Sequence, residues 1–142
     1  MRARMTAPVL LAAALLAAAP AAADESPTQD PTPYAPPFVA RTEWVQWAGK
    51  PSLRVYPTAA GRAAAGDVGT GAQADEAWTE VVRLAPDADS PGMRAQFLCH
   101  WQWAEFAEPG KTSWNLEPWR PVVDDGTMLA AGCNPGGAEE PF

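Results

Sequence analysis

The chain has 142 residues, ten basic side chains against seventeen acidic ones, a formal net charge of −7 and 47% hydrophobic residues. That length suits one domain with its own core and is short for two. An acidic excess with scattered Lys and Arg excludes a phosphate-tracking surface, so neither nucleic acid nor a membrane is an expected partner.

The first element in chain order stands apart from the domain. Met1-Arg2-Ala3-Arg4 precede an apolar run from Val9 to Ala19 and small residues ending Ala21-Ala22-Ala23. A basic start, an apolar run shorter than the roughly 20 residues that span a bilayer, and a small-residue exit predict a secretory signal peptide over residues 1–23. The expected location is therefore secreted and extracellular. Cleavage after Ala23 removes Arg2 and Arg4 and leaves eight basic against seventeen acidic residues. No cysteine lies at that junction to take a lipid, and no later segment is apolar enough to span a membrane.

Residues 24–37 (DESPTQDPTPYAPP) are Pro-rich and polar. Such a composition buries too little apolar area to offset ordering and favours extended conformations, which predicts a disordered tail. Its other reading is a peptide that docks in a partner's groove, with Tyr34 and Phe38 as anchors.

The compact domain is expected over residues 38–142. Arg41 to Trp47 and Ser52 to Tyr56 are rich in aromatic and β-branched residues and flank Gly49-Lys50-Pro51, a hairpin pattern that puts Leu53 and Val55 on one face. Ala59 to Gln73 is dominated by Ala and Gly and reads as a flexible surface excursion without core residues. Asp75 to Ala85 predicts an amphipathic helix, with Ala77, Trp78, Val81 and Val82 on one stripe and Asp75, Glu76, Glu80 and Arg83 opposite. Pro86 ends it.

Residues 93–106 carry apolar side chains at every odd position from Met93 to Trp103, a strand signal, yet Ser90-Pro91 is a good helix start and the length suits a helix. Helix is the preferred reading. Trp114 to Val123 and Thr127 to Cys133 read as extended segments joined by a hairpin turn at Asp124-Asp125-Gly126, with Pro118 and Pro121 keeping the first irregular. The implied fold class is α+β: a small antiparallel sheet with one or two helices, closed by one disulfide.

That bridge is expected between Cys99 and Cys133, the only two cysteines, because an even number in an oxidising compartment implies pairing. A metal site with His100 as third ligand is the sharper alternative. Adjacent Cys99 and His100 cannot easily face one ion and no fourth ligand is evident, so no metal or other cofactor is expected.

His100 is the one histidine, and a general base needs an orienting carboxylate, which Glu105, Glu108 or Glu117 would have to supply. The bland reading is a hydrogen-bonded structural histidine beside the disulfide. Ser52 and Ser113 lack nucleophile-elbow glycines, and Gly66 to Gly71 lacks the Lys-Ser/Thr ending of a phosphate loop. The paired acids Asp124-Asp125 and Glu139-Glu140 read as solvated.

Seven tryptophans are many for this length, and flat apolar rings either build a core or form contact surfaces for sugars and proteins. Trp78, Trp101 and Trp103 are assigned to the core. Exposed rings are expected among Trp44, Trp47, Trp114 and Trp119. The segment Trp114-Asn115-Leu116-Glu117-Pro118-Trp119-Arg120-Pro121 is either a preorganised recognition surface, with Trp114, Asn115, Glu117, Trp119 and Arg120 as contacts, or a buried corner in which Glu117 and Arg120 satisfy backbone groups.

The blocks Gln96-Phe97-Leu98-Cys99-His100, Lys111 through Pro121 (with WNLEPWRP), and Cys133-Asn134-Pro135-Gly136-Gly137 resemble the signature of a family of secreted actinobacterial proteins known as a domain of unknown function. Ser52-Leu53-Arg54-Val55 resembles it too. The resemblance implies export and a single domain and carries over no catalytic residue. The plan of signal, Pro-rich tail and disulfide domain is also similar to adaptor subunits of secreted actinobacterial toxin particles, which implies a tail inserted into a lectin-like partner. The expected function is a secreted, non-enzymatic binding or adaptor module whose partner is another secreted protein. The alternatives are a binder of cell-wall glycan through exposed tryptophans, and a small extracellular hydrolase using His100 with Glu105 or Glu117.

Overall fold

In the computed structural model, residues 33–141 are described. The signal-peptide assignment and residues 24–32 of the Pro-rich tail lie outside them. Strand β1 (Val39–Trp47) pairs antiparallel with β2 (Lys50–Pro57), and β2 with β3 (Trp114–Leu116), in the sheet order β1-β2-β3. Helices α1 (Ala59–Ala65), α2 (Gly71–Leu84), α3 (Met93–Ala107) and α4 (Asp125–Ala130) complete the α+β domain.

The hairpin turn falls at Ala48-Gly49, with Trp47 opposite Lys50. Both turn residues have positive φ, 49° and 75°, the geometry whose twist matches the flanking strands. Leu53 faces Leu116 and Val55 faces Trp114 across β2 and β3, and all four are fully buried. Phe97 of α3 lies against them, with ring centroids 5.6 Å from Trp78 and 6.1 Å from both Trp101 and Trp114.

The Ala/Gly stretch is a correction to the sequence reading. It forms α1 and the start of α2, and it buries Gly61, Ala64 and Ala65. Thr58 caps α1 by accepting the Gly61 N–H at 2.9 Å. Small residues let this helix approach closely: a Cβ on Gly61 would stand 2.2 Å from the Phe38 carbonyl oxygen. Glu80 is a second correction. It is buried on α2 and accepts the backbone N–H groups of Phe38 and Val39 at 2.8 and 2.7 Å, fixing where β1 begins.

Helix α3 forms, but its start is a correction: the cap is Gly92 at φ 83°, with no side-chain cap bond, and Ser90-Pro91 lies outside the helix. The hairpin expected at Asp124-Asp125-Gly126 does not form. Asp124 instead caps α4, accepting the Thr127 N–H at 2.8 Å, because an Asp before Asp-Gly serves a helix start as well as a turn, and Pro118 and Pro121 withhold the donors a longer strand would need. Helix α4 ends with Gly132 and Cys133 both at positive φ. Their N–H groups bond to Leu129 and Met128 carbonyls in a Schellman pattern, which turns Cys133 back toward α3. The Cys99–Cys133 disulfide forms there, with Cα atoms 5.5 Å apart.

Candidate functional site

Ser52, Gln96, Glu117 and Arg120 converge where α3, β2 and the segment after β3 meet, and all four are buried. The Gln96 amide donates to the Glu117 carbonyl and accepts its N–H, each at 2.9 Å. The Glu117 carboxylate accepts from Ser52 Oγ at 3.1 Å and from Arg120 Nε at 2.7 Å, in an ion pair with no solvent exposure. Arg120 then donates Nη1 to the Pro135 and Gly137 carbonyls and Nη2 to that of Ala138. One guanidinium thus ties the segment after β3 to the C-terminal strap.

The strap continues through its acids, which corrects the solvated reading of Glu139-Glu140. Glu139 pairs with Lys111 and Glu140 with Arg54, and Asn115 Nδ2 donates to Glu140 at 3.2 Å. Lys111 is buried and Arg54 half-buried, so both carboxylates are drawn against the domain. Asp124 also departs from the solvated reading through its cap, whose donors hold its carboxyl below the usual range.

Trp114, Asn115, Glu117 and Arg120 are buried, so the segment is a corner of the domain and these four are not surface contacts. Phe38 is likewise buried, edge-on to Trp101 at 5.8 Å, and the Tyr34 hydroxyl donates to Asp67 at 3.1 Å. Both anchors expected of the tail therefore engage the domain itself. Trp119 and Trp47 are half-buried beside the strap. Lys50 and Arg120 lie over the Trp119 ring at 4.2 and 4.4 Å. Trp44 remains exposed, over a hollow lined also by Gln46, Asp87 and Pro118.

His100 is 3% exposed, and its Nδ1 donates to the Gln96 carbonyl at 2.8 Å, which leaves Nε2 as the acceptor nitrogen of the neutral ring. Burial, with smaller contributions from the Lys111 and Arg120 charges, lowers its pKa to about 4 despite the backbone bond. Glu105 and Glu117 do not join it. Glu105 pairs with Arg62 at 2.7 Å and accepts the Gly110 N–H, while Glu117 is held by Arg120 and Ser52. The serines are engaged as well, Ser113 donating to Asn115 at 2.8 Å. Among the described residues, no group of three His, Cys, Asp or Glu side chains able to hold a metal comes together.

The surface that sequence reasoning missed lies on α3 and α4. Trp103 was assigned to the core, yet it is 44% exposed, with Phe106 61% and Leu129 47% exposed around the same cavity of about 430 Å³. The Trp103 and Phe106 ring centroids are 6.4 Å apart. The i, i+3 spacing of the two aromatics was the available signal; the apolar side chains on every flank of α3 obscured which face met solvent.

Residues 39–136 match the family model described as "Protein of unknown function (DUF2599)". The chain is similar to the uncharacterized protein Rv0477 of Mycobacterium tuberculosis (strain ATCC 25618 / H37Rv), 63% identical over 110 residues that cover 78% of this chain and 74% of that protein. It is also similar to the uncharacterized protein ML2452 of Mycobacterium leprae (strain TN), 53% identical over 108 residues, 75% of this chain and 85% of that one. No solved structure matches the chain. The matched span contains all three strands, all four helices and the disulfide, and on it the chain belongs to the family of proteins of unknown function called DUF2599.

Proposed function

We propose that the protein is a secreted, non-enzymatic binding or adaptor module that meets another secreted protein through the α3/α4 face. The observation that carries this reading is the pair of exposed rings, Trp103 and Phe106, beside Leu129. Exposed aromatics grouped around a concavity are the composition of interface hot spots. The residues first considered for catalysis each have an internal partner, which supports a binding role over a hydrolase. Export remains an expectation from residues 1–23. The test is co-purification of tagged protein from culture supernatant under native conditions: a retained partner, lost on Trp103→Ser with Phe106→Ser, supports the reading. Elution alone at monomer size contradicts it.

A second reading, binding of cell-wall glycan, is favoured by Trp44, whose exposed ring shares its hollow with Gln46 and Asp87, the polar groups a sugar would need. Addition of peptidoglycan fragments should then shift tryptophan fluorescence in the native chain and leave Trp44→Ala unchanged. An unaltered native spectrum across the fragments removes this reading.

A further inference from the structure

The cavity between α3 and α4 is walled by Trp103, Ala104, Phe106, Ala107 and Leu129, and its charged end is formed by Lys111 with Glu108 and Glu139. About 430 Å³ with an apolar wall and few polar groups is the scale of a small-molecule site. The Lys111 side chain is only 6% exposed. A buried ammonium requires a carboxylate or other hydrogen-bond acceptors around it to be tolerated at all. Arg62 helps to hold its backbone, donating to the Lys111 carbonyl while pairing with Glu105. Glu108 stands 3.7 Å away with 63% of its side chain exposed, so the closer carboxylate is that of Glu139 in the strap.

Glu139 thereby shows what the charged end accepts: a carboxylate, from a side chain that is itself 31% exposed. What Glu139 lacks is an apolar body, since its short stem leaves the Trp103, Phe106 and Leu129 wall uncovered. His100, neutral at physiological pH, lines the cavity without adding charge. A cationic head group in the place of the Glu139 carboxylate would face the Lys111 ammonium, and a dianion there would add a second negative charge beside Glu108, which stands 3.7 Å from the same ammonium.

We propose that this cavity binds a small amphiphilic carboxylic acid, its carboxylate replacing Glu139 on Lys111 and its apolar chain lying along Trp103, Phe106 and Leu129. No bond is made or broken. The strap acts as an internal competitor, occupying the head-group position when no acid is bound.

Dodecanoate is the probe, added to the full chain below its micelle concentration and followed by calorimetry and by the Trp103 indole resonance. Saturable binding is expected, with the Trp103 signal shifting. Dodecylamine should not bind. Lys111→Gln should weaken dodecanoate at least about tenfold, and Glu139→Gln should tighten it several-fold by removing the competitor. Equal affinity of the native chain for dodecylamine, or no saturable binding of dodecanoate, overturns the proposal. Should Lys111→Gln fail to fold, the Glu139→Gln arm decides alone, because Glu139 is partly exposed on the strap: unchanged or weaker binding there overturns it. Because the acid's chain and a docked protein would cover the same Trp103, Phe106 and Leu129 wall, co-purification is read without dodecanoate, so that its outcome bears on docking and the calorimetry on the acid.

Discussion

Gln96 and Glu117 hold each other by two hydrogen bonds of equal length, 2.9 Å, from one side-chain amide to both backbone polar groups of the other residue. This pair fixes the position of a carboxylate that in turn fixes Arg120 and the C-terminal strap. Gln96→Leu would leave a buried N–H and a buried C=O without partners, at about 1–3 kcal/mol each. Urea unfolding of this variant should show a stability lowered by about 2–6 kcal/mol, with faster amide exchange in residues 135–141. A stability within about 0.5 kcal/mol of the native protein would contradict the assigned role.

Ala48 occupies the left-handed region at φ 49°, where an L-residue other than Gly or Asn is strained by about 1 kcal/mol or more. Ala48→Asn produces the Asn-Gly sequence that two-residue hairpins favour. Thermal unfolding should shift upward by a few degrees, corresponding to about 1 kcal/mol. A lowered midpoint would show that the turn is not as described.

The Cys99–Cys133 bridge closes a separation of 34 residues. In the chain-entropy picture its removal costs about 3–4 kcal/mol. Replacing both cysteines with alanine should lower stability by that order, and hydrogen exchange should accelerate first in residues 125–138, which lose their tie to α3. Uniform acceleration across the sheet instead would mean that α4 is integral to the main core.

His100 titrates near 4 in the folded state, below its unfolded value of 6.5, so between those values the unfolded chain binds the extra proton. Stability from this group is intact above pH about 6.5 and is lost as pH falls toward 4, by about 3 kcal/mol in all. Carboxylates titrating in the same window act in native and variant alike. The slope difference between the native protein and His100→Gln over pH 4–6.5 therefore isolates the histidine: the native curve should be steeper. Parallel curves would contradict the buried, neutral assignment.

The α+β class, the first hairpin, helix α3 and the disulfide were legible because each leaves a local signal: alternating apolar residues with a Gly-containing turn, a run of helical length, two cysteines. Helix α1 was not, since alanine gives no periodic contrast and the need for Gly61 arises from the Phe38 carbonyl, distant in sequence. Asp124 offered the same chemistry to a turn and to a helix cap. Glu80, Glu139 and Glu140 read as solvent-facing because their partners, the β1 start, Lys111 and Arg54, are supplied by tertiary structure alone. Trp103 and Trp114 exchanged expected roles for the same reason: burial of an aromatic depends on which helix face meets the sheet.

A protein partner docked on the Trp103–Phe106 face would lie within reach of a probe at position 106 and not of one on α2. A photo-crosslinking side chain placed at Phe106, with the same group at exposed Arg83 on α2 as the control, tests this docking in protein recovered from culture supernatant. A discrete higher-mass adduct is expected from position 106 and none from position 83. Adducts absent at 106, or equally strong at both positions, would contradict it.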